Sequence, residues 1–230
     1  MKAYAISLNT PGSRKGFKNL VQSSKDVGNE FDIELFEAVT PPDAMTVIEN
    51  MRIIWSHSFG RVRTCPISKL EIHPYKTANP LARIACFASH ASLWKRSVDL
   101  GEPILIHEDD SVYTFKLVPE DLLKGGFGAV GFNDPRGATR RAGVFHAACR
   151  NGGPFRIIHA PQVDREEIPQ GLAGASSYMI TPWLAELLLD KCIEMGGHAN
   201  DLILCRQLFP MIGVTTDYYT KVSGRPSQLA

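Results

Sequence analysis

Residues 104–110 read ILIHEDD, and residues 82–95, just upstream, read ARIACFASHASLWK. The first stretch is a short apolar run that breaks into three consecutive acids, the pattern of a strand buried in a parallel sheet that opens into a loop. The second lies inside a longer periodic segment, residues 80–100. There Leu81, Ile84, Ala88, Ala91, Trp94 and Val98 recur at three- and four-residue steps and share one face of a predicted helix. Pro80 at its start and Gly101 after its end are suitable boundaries. Helix, tight turn, strand and acidic loop therefore follow in order. In an open α/β sheet, ligands bind beyond the carboxyl ends of strands, which is where Glu108, Asp109 and Asp110 fall.

Working outward, residues 3–8 form a first apolar run that ends in the turn chemistry Asn9, Thr10, Pro11, Gly12. A basic, helix-compatible stretch over 13–27 and a second β-like run over 32–39 complete an opening βαβ unit, closed by Pro41 and Pro42. Further strands are expected at 129–132, 157–159 and 178–180. A helix is expected at 182–195, with Pro182 in its first turn and Gly196 and Gly197 after it. Strands alternating with helices predict an α/β fold with a mainly parallel sheet flanked by helices, in one domain over 1–230. The segment between Gly60 and Asn79 is the one candidate for a mobile lid.

Composition narrows the function classes. With 44% hydrophobic and 21% charged residues the chain is an ordinary globular one. Lys and Arg number 25 against 24 Asp and Glu, so no global field draws in nucleic acid or a membrane, and a charged partner must be read by a local patch. Five cysteines without a CxxC pair fit free thiols in a reducing compartment. No apolar stretch approaches the roughly 18 residues of a spanning helix, and the N-terminal run is too brief for a signal sequence. A cytoplasmic location is expected.

The acidic triplet is the main chemical signal. Carboxylate oxygens are the hard ligands preferred by Mg²⁺ and Mn²⁺, which complete their shells with water and substrate phosphates. From an extended backbone Glu108 and Asp110 point one way and Asp109 the other. The bland alternative is a solvated loop, but three crowded carboxylates repel, and a divalent ion relieves that repulsion.

Three other constellations carry less. GGFGAVG at 125–131 has GxGxxG spacing but is preceded by helix-like residues and followed by FNDPRG, so it reads as a turn entering a strand. Cys86 and His90 are four apart on one helix, a zinc-compatible spacing without a second ligand pair, so packing is the default. A Cys-His nucleophile has no local signature either. Between residues 136 and 160 stand Arg136, Arg140, Arg141, Arg150 and Arg156 with no acid. Such a stretch is either a solvated loop or a contact surface for an anionic acceptor.

The helix and acidic strand end together resemble glycosyltransferase family 25, whose members carry a "GEIGCxLSHxxxWK" helix followed by a "VxEDD" strand end. Cys86, Ser89, His90, Trp94 and Lys95 match in register. Weaker likenesses lie in AYAISLN at 3–9, FEAVTPPD at 36–43, SSYMITPWLAELLL at 176–189 and NDLIL at 200–204. The paired arginines of the family's first strand are missing, with Arg14 and Lys15 as partial substitutes, and Pro41 and Pro42 stand where an Asp and a Gly are usual.

The resemblance implies a GT-A-like (Rossmann-like) nucleotide-diphospho-sugar transferase, inverting, with a UDP-sugar donor. In it Glu108 and Asp110 hold Mn²⁺ or Mg²⁺, while Ser7, Asn9, Arg14, Arg83, Ser89, His90 and Asp109 line the donor. Asp110 belongs to the catalytic centre, and Asp201 serves as base or acceptor anchor, its competing role being an N-terminal helix cap. The implied acceptor is a glycan or, second in order, modified DNA or another anion met by the segment from Arg136 to Arg156. The reading from another class is an inactive glycan- or nucleic-acid-binding module of the same fold, against which the intact acidic triplet argues.

Overall fold

A computed structural model describes residues 1–74, 77–137, 141–173 and 175–224, with Asp201 described in its backbone alone. The chain opens with strand β1 (Lys2–Ser7), helix α1 (Pro11–Asp26), strand β2 (Ile33–Glu37) and helix α2 (Ala44–Asn50). A small ribbon, β3 (Arg63–Thr64) and β4 (Glu71–Ile72), precedes the long helix α3 (Pro80–Leu100), strand β5 (Ile104–Glu108) and strand β6 (Ser111–Tyr113). The second half holds β7 (Ala129–Gly131), α4 (Ala142–Arg150), β8 (Ile157–His159), β9 (Ser177–Ile180), α5 (Pro182–Met195), α6 (Asn200–Ile203), β10 (Ile212–Thr215) and β11 (Thr220–Val222).

Seven strands form the main sheet in the order β2-β1-β5-β9-β7-β10-β8. β2, β1 and β5 are mutually parallel, β7 and β10 run in the same sense, and β9 and β8 run against them. The helix-flanked, mainly parallel α/β sheet expected from sequence is therefore observed, with β9 inserted antiparallel at its centre. The opening βαβ unit is present, and GGFGAVG is the turn entering β7.

Side chains alternate across the sheet as the two-residue period requires. Tyr4, Ile104, Ile106, Tyr178 and Ile180 face the larger core, which contains Phe87 and Trp94 of α3 and Leu184 and Leu188 of α5. Ala3, Ala5, Leu105, Val130 and Met179 face the smaller core with Leu20 of α1. Each fully buried Leu, Ile or Phe contributes roughly 1.5–3 kcal/mol, so these two layers hold the sheet between its helices. α3 begins where the Asn79 side chain accepts the Ala82 N–H at 3.2 Å and Pro80 sets the first turn. It ends at Gly101, whose φ of 65° few other residues tolerate.

The segment from Arg136 to Arg156 is not a plain loop. It contains α4, and acids from elsewhere meet its arginines: Arg136 pairs with Asp134 at 2.6 Å, Arg141 with Asp164 at 3.4 Å, and Arg150 with Asp217. Arg140 lies outside the described residues. Three of the four described arginines are thus matched by carboxylates, and the basic surface expected from sequence is largely neutralised there. Among the described residues no helix is long and apolar enough to cross a membrane, and all five cysteines are free thiols.

Candidate active site

The chain leaves β1 in one direction, through α1 to β2, while β5 lies on the opposite side of β1. The carboxyl ends of β1 and β5 therefore bound a topological switch point, the place where an open α/β sheet leaves a crevice for a ligand. Ser7 and Asn9 stand at the end of β1, and Glu108, Asp109 and Asp110 at the end of β5. The strand stops at Glu108 and the two aspartates occupy the turn to β6, so only the first alternation survives: Glu108 reaches the α3 side and Asp109 the α1 side.

On the α1 side, Thr10 caps the helix by accepting the Ser13 N–H at 3.2 Å. That leaves the Ser13 hydroxyl directed at the sheet, where it donates to Asp109 Oδ2 and accepts the Leu8 N–H at 2.7 Å. Because its proton is committed to Asp109, the Ser7 hydroxyl, 3.0 Å away, donates to it. A carboxylate held in the first turn of a helix is favoured by the helix dipole, and the same position suits a phosphate. Arg14 bridges Asn9 Oδ1 at 3.2 Å and Glu37 at 3.0 Å at the exposed rim.

On the α3 side a buried chain of hydrogen bonds ends on Glu108. Trp94 Nε1 donates to the Tyr178 hydroxyl at 2.8 Å, and that hydroxyl lies 2.8 Å from His90 Nδ1. Burial pushes the Tyr178 phenol well above its ordinary range, so it keeps its proton and donates it to Nδ1. The neutral imidazole then carries its proton on Nε2, which donates to Glu108 Oε1 at 3.2 Å. One tautomer and one ring orientation follow, and Glu108, about one-third exposed, is aimed by a side chain that is itself 1% exposed.

Cys86, one turn before His90, completes a group in which Cys Sγ, His N and Glu O atoms lie within 4.8 Å of one another. The Cys86 thiol donates to Asn200 Oδ1 at 3.7 Å, and with both His90 nitrogens engaged, His90 is not placed as a base for a Cys86 nucleophile. Glu108, Asp109 and Asp110 offer hard carboxylate oxygens of the kind Mg²⁺ and Mn²⁺ take at one half-buried strand end, but among the described residues it is Cys86, His90 and Glu108 whose donor atoms come together, and the three carboxylates are not gathered into one set.

The remaining expected residues fall as follows. Arg83 shares the α3 face of Cys86 and His90 and is half-buried. Ser89 donates to Ala85 O at 2.8 Å and accepts the Val39 N–H at 2.9 Å, which ties the loop after β2 to α3. The backbone carbonyl of Asp110 accepts the Ser223 N–H at 2.7 Å. Asp201 lies in α6, whose N-cap is Ala199, so it does not occupy the cap position; its side chain lies outside the described residues. Sequence reading missed Ser13, Tyr178 and Asn200. Only Ser13 had a local signal, three residues after a capping Thr and before a helix.

A family model described as "Glycosyltransferase family 25 (LPS biosynthesis protein)" matches residues 1–117, the half that holds β1, α3 and the acidic end of β5. The chain belongs to glycosyltransferase family 25. As a member of that family it is a glycosyltransferase. No curated protein sequence gives a significant match. Among solved structures, galactosyltransferase LgtC in complex with donor and acceptor sugar analogs is 10% identical, covering 98% of this chain and 88% of that one at a TM-score of 0.47. Mouse xyloside xylosyltransferase 1 in its apo form is 10% identical, covering 91% and 81% at a TM-score of 0.37.

Proposed function

We propose that this family 25 protein transfers a sugar from a nucleotide-diphospho-sugar, in the first place a UDP-sugar, to a glycan hydroxyl with inversion, in a divalent-metal-dependent reaction. The observation that carries this reading is the meeting, at the β1–β5 switch point, of the Ser7–Ser13–Asp109 network with a Glu108 carboxylate aimed by His90. Glu108 and Asp110 would hold Mn²⁺ or Mg²⁺, which when bound supplies positive charge against the departing diphosphate.

The chain's own residues do the rest. The start of α1 and the polar residues Ser7, Asn9 and Arg14 bind and orient the anionic end of the donor. His90, locked by Tyr178, holds Glu108 on the α3 side of the strand end and keeps it from swinging into solvent. Asp201 takes the acceptor proton as the acceptor oxygen bonds to the sugar's anomeric carbon and the bond from that carbon to the diphosphate breaks, so charge leaves on the nucleoside diphosphate. The reading is tested by UDP release from UDP-galactose and UDP-glucose in the presence of Mn²⁺. Release should fall at least about a hundredfold in Glu108→Ala and in Asp110→Ala, whereas equal release by both variants and wild type would refute it.

A further inference from the structure

Outside the acidic strand end, the segment from Trp55 to Arg63 lines an open cleft of 690 Å³. The rings of Trp55, His57 and Phe59 stand nearly parallel, with interplanar angles of 12–16° and centroids 5.9–6.5 Å apart. Their orientation is imposed from below. His57 Nδ1 accepts the Ala199 N–H at 3.1 Å, and its Nε2–H donates to the His73 carbonyl at 2.9 Å, so the imidazole is neutral and pinned. Trp55 packs edge-on against Phe87 of α3 at 5.6 Å. Gly196 and Gly197 let the loop between α5 and α6 run against this segment: at Gly196, with φ of 89°, a Cβ would sit 1.8 Å from Ser56 Oγ.

Three buried polar atoms of this cluster have no hydrogen-bond partner among the described residues: Trp55 Nε1 and both ring nitrogens of His198. His198 is 3% exposed and its ring centroid lies 5.6 Å from that of His57. Buried groups in native proteins are nearly always paired, so this concentration points to a polar occupant beneath the rings, and His198 is not among the residues that line the cleft. At the mouth, Arg61 and Arg63 line the cleft and are exposed, and neither makes an ion pair among the described residues. Among the described residues no acid lines the cleft.

The segment that lines the cleft is linked to the proposed catalytic centre through the start of α6. Ala199, which binds His57, is followed by Asn200, which binds Cys86, and Cys86 groups with His90 and Glu108. We propose that the Trp55–His57–Phe59 cleft is the acceptor subsite and that it takes a sugar ring bearing an anionic group. The ring's C–H face lies against the aromatic side chains, and its carboxylate or phosphate is held by Arg61 and Arg63. This assignment rests on the transferase reading for its role, though not for the binding it predicts.

The test is titration of methyl glucuronide and methyl glucoside into the full chain, followed by saturation-transfer NMR, with UDP titrated in parallel in Mn²⁺. Wild type should bind the glucuronide about tenfold more tightly than the glucoside. An Arg61→Ala/Arg63→Ala double variant should bring the two to parity without altering UDP binding, and Phe59→Leu should weaken both glycosides. Both arginines are exposed, so the double variant retains its fold. Equal binding of the two glycosides by wild type, absence of binding by either, or an unchanged preference in the double variant would overturn the subsite. Loss of UDP binding in the double variant would also overturn it, by assigning the cleft to the donor. Failure of UDP to bind wild type would count against the transferase reading alone, with the glycoside comparison still deciding the cleft.

Discussion

His90 and His107 are both buried beside the acidic strand end, one on α3 and the other on β5, at 1% and 0% exposure. Their surroundings differ at Nε2. His90 passes a proton toward the Glu108 carboxylate, whereas His107 is enclosed by neutral hydroxyls: its Nδ1–H donates to Ser177 Oγ at 3.0 Å, and Tyr113 O–H lies 3.3 Å from its Nε2. The Ser177 hydroxyl hands its own proton to Ser111, which hands its proton to the Ser176 carbonyl, so the direction of the whole chain is settled. Depth alone therefore does not make a histidine functional. One ends on a carboxylate about one-third exposed, at the strand end proposed as the donor site; the other ends on a phenol and belongs to the core.

The largest effect that sharpens this contrast concerns acid. Burial pushes His107 down to about 3 from an ordinary value near 6.5. Between those two values the unfolded chain binds a proton that the folded chain refuses, so His107 contributes stability that is lost as pH falls through that window, roughly 5 kcal/mol over its span. Urea denaturation from pH 7 to pH 3.5 should show the advantage of wild type over His107→Gln shrinking steadily, and a pH-independent difference would contradict the neutral core assignment.

The next effect breaks the His90 side. Tyr178→Phe removes one hydroxyl but strands two buried groups, Trp94 Nε1 and His90 Nδ1. Each costs about 1–3 kcal/mol, so the variant should lose roughly 3 kcal/mol in denaturant unfolding, and its Mn²⁺-dependent UDP affinity should fall as well because Glu108 is no longer aimed. Ser13→Ala, on the α1 side, should cost about 1 kcal/mol and weaken UDP binding several-fold by releasing Asp109 and leaving the Leu8 N–H without its acceptor. Smallest of all, Arg14→Ala breaks an exposed pair with Glu37 and an exposed hydrogen bond to Asn9 and should change the unfolding free energy by less than about 0.5 kcal/mol, with any larger change confined to UDP affinity.

The parts of this site written in contiguous sequence were legible. α3 and α5 carry their Pro starts and Gly ends within the chain segment itself, and both run over the residues expected. The partners of Asp109 and of His90 were not legible, because Ser13 and Tyr178 come from distant segments and are brought in by strand order. The direction of β9 is likewise a tertiary outcome, and β10 follows Pro210 as a short apolar run with no flanking periodicity. The arginine stretch shows the same limit in charge: Asp134, Asp164 and Asp217 lie outside it in sequence and against it in space. A run of one sign along the chain is not a surface of that sign.

The most direct test of the central claim is calorimetric titration of UDP into the purified protein, with Mn²⁺ and with chelator, for wild type and Asp110→Ala. The account predicts saturable UDP binding in Mn²⁺ that is lost both on chelation and in the variant. Absence of UDP binding to wild type, or binding indifferent to both metal and Asp110, would contradict a metal-dependent donor site at the end of β5.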